Sequence, residues 1–183
     1  GEYMPGQQLS EVRAAERFDC SRNTLRESFA MLAAERIVER LPHRGVFIAT
    51  PDEDFVRDLY LARAAIEPAA ARYGTFPDPS ELIRLTESAA LSDAPRPLLN
   101  QQFHRQLVAG LGSATLDRTM SHLLARMRVT FLLTLERYPH IHDDHVQSNI
   151  DLAQLIARGE RDAAADACRA DLMRAMNAIL RVL

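Results

Sequence analysis

Apolar residues recur at helical spacing along most of this chain, and the exceptions divide it. LSEVRAAERF, Leu9 to Phe18, places Val12, Ala14, Ala15 and Phe18 behind the capping residue Ser10 and predicts a short helix. DCS then turns the chain. Ser21 caps a second predicted helix running to about Glu35, with Leu25, Phe29, Leu32 and Ala33 as its inward stripe. RIVERL and GVFIAT follow as short β-prone runs separated by PHR and Gly45, a hairpin pattern. Helix, turn, helix and hairpin is the order of a winged helix-turn-helix.

Beyond Thr50 the two-residue alternation stops. TPDE predicts a helix start, with Thr50 as cap, Pro51 at the first helical position and Glu53 closing a capping box. Helical segments are predicted near 52–73 (with Pro68 kinking the first), 79–91, 97–110, 114–137, 143–158 and 161–182. GTFPDPS, SDAPRP, GLGS and RYPH punctuate them. The expected fold is therefore mainly α. It comprises a winged helix-turn-helix over residues 1–50 and an all-α antiparallel helical bundle over 51–183, whose natural cavity lies between facing helices.

Composition supports a buried core: 47% of the 183 residues are hydrophobic. No apolar run reaches the roughly 18 residues that a membrane span needs. Cys20 and Cys168 lack metal-knuckle spacing, so free thiols in a reducing cytoplasm are expected. All 22 basic residues are arginine, and the net charge is −3. Residues 1–50 hold seven arginines and seven acids, so bulk charge does not point to nucleic acid. Any such case must rest on arrangement.

That arrangement is found in SRNTLRE. Arg22 and Arg26 stand one turn apart near the start of the second helix, the part that a helix-turn-helix presents to base edges. Arginine suits that place because its planar fork can donate two bonds to guanine. Ser21, Asn23 and Thr24 are short hydrogen-bonding residues able to meet phosphates, or a base in the case of Asn23. His43 and Arg44 at the hairpin tip can reach backbone or minor groove, and Gly45 permits the tight turn. The same residues also describe an ordinary capped helix with exposed arginines.

PGQQLSEVRAAERFDCSRNTLRESFAMLAAERIVERLPHRGVFIA resembles the winged-helix domain of GntR-family transcriptional regulators. SRNTLRESF stands where that family has its recognition-helix start, and HRGVFIA matches its wing. DLYLARAAIEPAAARYG, FHRQL and LIARGERDAAADACRADL resemble parts of the FadR-type effector domain. The resemblance implies a homodimeric regulator, binding a pseudo-palindromic operator and responding to a small carboxylate effector in the helical domain. It also implies a helix before PGQQLSE, which the sequence begins too late to contain. Val12 stands where many relatives carry a backbone-contacting arginine, and Arg13 points about 100° away around the helix.

Many FadR-type domains hold a metal with one aspartate and three histidines. Carried over by motif, those positions fall at Asn100, His104, Asn149 and Asp171, so only His104 is retained. Amide oxygens are poor donors for zinc and its neighbours, which makes a divalent metal at His104 and Asp171 doubtful. His104 is then open to three readings: metal ligand, histidine hydrogen-bonded to Asn100 or Asp171, or part of a polar effector pocket. Arg63 has two, an i, i+4 ion pair with Glu67 or a clamp on an effector carboxylate.

HIHDDH, residues 140–145, fits the H-x-H-x-D-H signature of metallo-β-lactamase-fold hydrolases. That signature needs a β-sandwich and histidines downstream, and no histidine follows His145. A helix start, with Asp143 and Asp144 in its first turn, is the simpler reading. His145, one turn before Asn149, could alternatively swing in as a substitute ligand. No nucleophile, acid–base pair or completed metal site points to an enzyme. The alternative to a DNA-binding regulator is a helical small-molecule-binding protein whose shortened winged helix serves protein contacts.

Overall fold

The structure is a computed structural model that describes residues 3–91, 96–134, 137 and 141–183, with backbone alone at 89–91, 96–98 and 141–145. Its N-terminal part opens with β1 (Gln8–Leu9), followed by α1 (Glu11–Arg17) and α2 (Arg22–Ala34). A hairpin of β2 (Val38–Leu41) and β3 (Gly45–Ile48) comes next. Ser10 and Ser21 cap the two helices as expected, accepting from the Arg13 and Thr24 amides. Asp19 makes the tight turn between them with a left-handed backbone (φ 48°), a conformation that short polar side chains tolerate.

β1 is too short to show any periodicity, so nothing in its residues predicts a strand. Pairing with β3 creates it: Gln8 faces Phe47 and Leu9 faces Val46, giving a three-stranded antiparallel sheet in the order β1-β3-β2. Leu25, Phe29, Val38 and Val46 close a small core with Ala14 and Ala15. Val12 and Phe18, apolar members of the first helix, point outward and are exposed.

α3 (Glu53–Tyr73) begins two residues later than the TPDE reading requires. Its cap is Asp52, whose Oδ1 accepts from the Phe55 amide at 2.8 Å. Thr50 cannot cap because the chain is still held beside the sheet: Ala49 donates to the Ile37 carbonyl and Thr50 N–H to Glu39 Oε1. The helix continues through Pro68. Then come α4 (Ser80–Leu91), α5 (Arg96–Ala109), α6 (Ala114–Thr134), α7 (Ile141–Ala157) and α8 (Arg161–Leu180). α3 packs against α5, α6 and α8, while α7 packs on α4 and α8. Val56, Leu59, Tyr60, Leu107, Met120 and Ile179 are fully buried between them. Each such side chain contributes roughly 1.5–3 kcal/mol by leaving water, which fixes the helices around whatever polar groups they enclose.

Candidate DNA-contact surface and effector cavity

Ser21, Arg22, Asn23, Thr24 and Arg26 lie together on the exposed start of α2, because burying Leu25 and Phe29 turns that face outward. Two of the hydroxyls already have partners. Ser21 Oγ accepts from the Thr24 amide at 3.1 Å and lies 2.9 Å from Thr24 Oγ1. Arg26 Nε donates to Glu11 Oε2 at 3.0 Å, an exposed pair that ties α2 to α1 and holds one edge of this guanidinium. At the hairpin tip His43 (φ 60°) and Gly45 (φ 101°) both adopt left-handed backbone. The Arg44 guanidinium sits over the Phe47 ring, and Gln8 Nε2 donates to the Arg44 carbonyl at 2.7 Å. β1 therefore braces the wing.

The second polar cluster lies inside the bundle. Arg63 is 2% exposed and Glu67 0%, one turn apart on α3. Arg63 Nε donates to Glu67 Oε1 at 2.6 Å, and its Nη1 lies 2.9 Å from Met127 Sδ. The i, i+4 pair is thus present, but buried, where each charge depends on the other. His104 on α5 completes a triad: its Nδ1 is 2.8 Å from Glu67 Oε2, and its Nε2 is 3.3 Å from Arg63 Nη2. Burial would push the Glu67 carboxyl up, yet the Arg63 guanidinium and His104 hold it down at about 2. Burial pushes the neighbouring Tyr60 hydroxyl up to about 12, so it stays neutral.

Asn149 on α7 donates its Nδ2 to Asn100 Oδ1 at 2.6 Å. A cavity of about 110 Å³ opens beside these groups, lined among others by Glu67, His104, Asn149, Asp151, Asp171 and Arg174. Of the residues singled out for an effector, His104, Asn149 and Asp171 reach it, while Arg63 and Asn100 are not among its lining. Two expectations change. His104 meets Glu67 and Arg63 where Asn100 or Asp171 was anticipated, and the Arg63 fork is turned onto protein groups. Glu67 was visible only as the partner of Arg63, since nothing in its spacing tells that α5 brings a histidine to its other oxygen. Asp151 and Arg174 carried no signal at all.

The inherited metal positions do not fit a transition metal. Two are amides hydrogen-bonded to each other, the imidazole already faces a carboxylate, and Asp171 is 2.9 Å from Arg174. Among the described residues no three His, Cys, Asp or Glu side chains are grouped to hold an ion. The last five residues of HIHDDH open α7, and their side chains fall outside the described residues, as does the whole of His140.

The two parts of the chain also touch. Two guanidiniums lie over the Phe55 ring at the start of α3: Arg36, just past α2, at 4.9 Å and Arg126 of α6 at 4.6 Å. Glu35 Oε1, at the end of α2, is 3.0 Å from His122 Nδ1 on α6.

A winged helix with an exposed second helix, joined to a helical bundle that holds a buried Arg63–Glu67–His104 cluster beside a cavity, is the architecture of a DNA-binding regulator with a ligand-binding effector domain. Residues 1–48 match the bacterial regulatory proteins of the gntR family, and residues 58–174 match the FCD domain, the FadR-type C-terminal domain. The chain belongs to the GntR family of transcriptional regulators. It is 23% identical to the Nta operon transcriptional regulator of Aminobacter aminovorans, across 99% of this chain and 88% of that one. It is 30% identical to the HTH-type transcriptional repressor GlaR of Escherichia coli, across 79% and 75%. A crystal structure of a putative GntR transcriptional regulator from Rhodococcus sp. RHA1 superposes with a TM-score of 0.86 at 27% identity, covering 100% of this chain and 91% of that one. Among the described residues no helix is long and apolar enough to cross a membrane.

Proposed function

We propose that this regulator acts as a cytoplasmic, homodimeric repressor, non-enzymatic, dividing near residue 50 into a DNA-binding and an effector domain. Two winged helices bind a pseudo-palindromic operator, the two-fold symmetry of the protein matching that of the DNA. The observation that carries this reading is the outward-facing start of α2. In the complex, Arg22 and Arg26 meet base edges, Ser21 and Thr24 meet phosphates, Asn23 meets phosphate or a base, and His43 and Arg44, on the turn that Gly45 permits, reach the backbone or minor groove. A small effector in the bundle cavity, meeting His104, Asn149 and Asp171, shifts operator affinity. The contacts at Phe55 and Glu35 offer a route, because α6 carries Met127 against the cavity cluster and Arg126 against Phe55.

The test is binding to a fragment of the protein's own promoter region across a range of salt. Operator binding through phosphates is expected to weaken steeply as salt rises. Salt-independent binding, or none, would favour the reading in which the winged helix serves protein contacts. Replacing Phe55 by Leu is expected to leave bare operator affinity unchanged and to diminish the effector's influence on it. An undiminished effect would remove Phe55 from the route.

A further inference from the structure

The cavity sets three carboxylates beside an apolar wall of Leu152, Ala167 and Leu172, with His104 and Ser148 also facing it. The carboxylates are those of Glu67, Asp151 and Asp171, against Arg174 as the arginine in the cavity wall, which is already 2.9 Å from Asp171. Arg63 lies behind the wall, held by Glu67. Asn149 commits its Nδ2 to Asn100, so its carbonyl oxygen is the amide atom left to serve a ligand. Glu67 Oε2 is buried and, although 2.8 Å from His104 Nδ1, accepts no well-aligned hydrogen bond. A buried charged oxygen with unused acceptor capacity is stabilised by any N–H that reaches it.

We propose that this cavity recognises the ammonium or amidinium end of a small organic cation, an inference that rests on reading the cavity as the effector site. An ammonium brings three donors and no acceptor, the complement of the Glu67, Asp151 and Asp171 carboxylates and the Asn149 carbonyl. An organic carboxylate, the effector class that the family resemblance implies, would lose its hydration among like charges while the nearest guanidinium is bonded elsewhere. Volume limits the buried part of the ligand. At about 110 Å³ the space is smaller than the roughly 150 Å³ cavity that accepts benzene, which allows about four non-hydrogen atoms.

The full chain is titrated calorimetrically, at constant ionic strength, with propylammonium, ethanolammonium and acetamidinium and with the carboxylates propionate, glycolate and acetate. Binding of the cations alone is expected, weakened at least about tenfold by Asp171→Asn and by Asp151→Asn. Carboxylates that bind where the cations do not overturn the assignment of charge and leave the effector reading standing. Binding of neither series overturns it as well, and so do cations that bind both variants as tightly as the parent. Ala167→Phe, which fills the cavity from its wall, tests the effector reading separately. An altered operator affinity in that variant keeps the cavity coupled to DNA whatever the titrations give, whereas an unaltered one ends the effector reading.

Discussion

Arginine is the only cation this chain uses besides histidine, and its two regions use it in opposite ways. In the winged helix Arg22 and Arg26 stand in solvent on a surface whose formal charge sums to zero with its acids. In the bundle Arg63 is sealed in, with its Nε on Glu67 and its Nη atoms on His104 and Met127. The exposed arginines can be lost without harm to the fold, because water replaces whatever they touch. The buried one cannot, because its charge has been taken out of water and only Glu67 neutralises it. Function in the first region is a matter of what arrives from outside; in the second it is built into the core.

The largest expected effect breaks that contrast at its buried end. Glu67→Ala leaves Arg63 uncompensated and is expected to cost roughly 3–5 kcal/mol of stability, read by urea unfolding. A change no larger than that of a surface mutation would show that the triad is not sealed. Acid probes the same group. The Glu67 carboxyl titrates at about 2 in the fold against 4.5 ordinarily, so its stabilisation is complete above 4.5 and is lost as pH falls towards 2. Glu67→Gln is expected to flatten the decline of the unfolding midpoint over that window; an unchanged decline would assign it to other carboxylates.

At the exposed end, Arg22→Ala is expected to cost roughly 1–3 kcal/mol of operator binding, concentrated at one base position. Its unfolding curve should overlay the parent's. Equal binding to specific and scrambled DNA by parent and variant alike would remove α2 from base recognition. The smallest expected effect joins the two kinds of role. Ser21→Ala removes the cap of α2 and is expected to cost about 1 kcal/mol of stability. Ser21→Asp, which keeps a capping oxygen, should restore stability but not operator affinity, since it sets a negative charge against phosphate. Recovery of both would make Ser21 a cap alone.

Much of this architecture is legible in the residues. The stripe of Leu25 and Phe29 predicts α2 and the face it buries, and the same stripe turns Arg22 and Arg26 outward. The bundle helices fall within a few residues of their predicted spans because breaks such as GTFPDPS and GLGS cannot continue a helix. Thr50 misleads for a tertiary reason: threonine is an acceptable cap, but the bonds from Ala49 and Thr50 to β2 and its approach leave Asp52, the stronger cap, to begin the helix. β1 follows the same rule, since two residues make a strand only when β3 lies alongside.

The cavity divides more sharply. Sequence spacing alone determined that Arg63 and Glu67 could pair and that Asn100 and His104 share a face, because both are one-turn relations within a single helix. It could not determine that the pair is buried, that His104 crosses from α5 to Glu67, or that Asn149 of α7 binds Asn100. Those contacts join residues 37 to 49 positions apart, and their geometry exists only once α3, α5, α7 and α8 have packed. Periodicity records which face of a helix turns inward. Which helix waits on the other side, and so which charges meet and which acceptors remain for a ligand, is decided by the packing of the bundle.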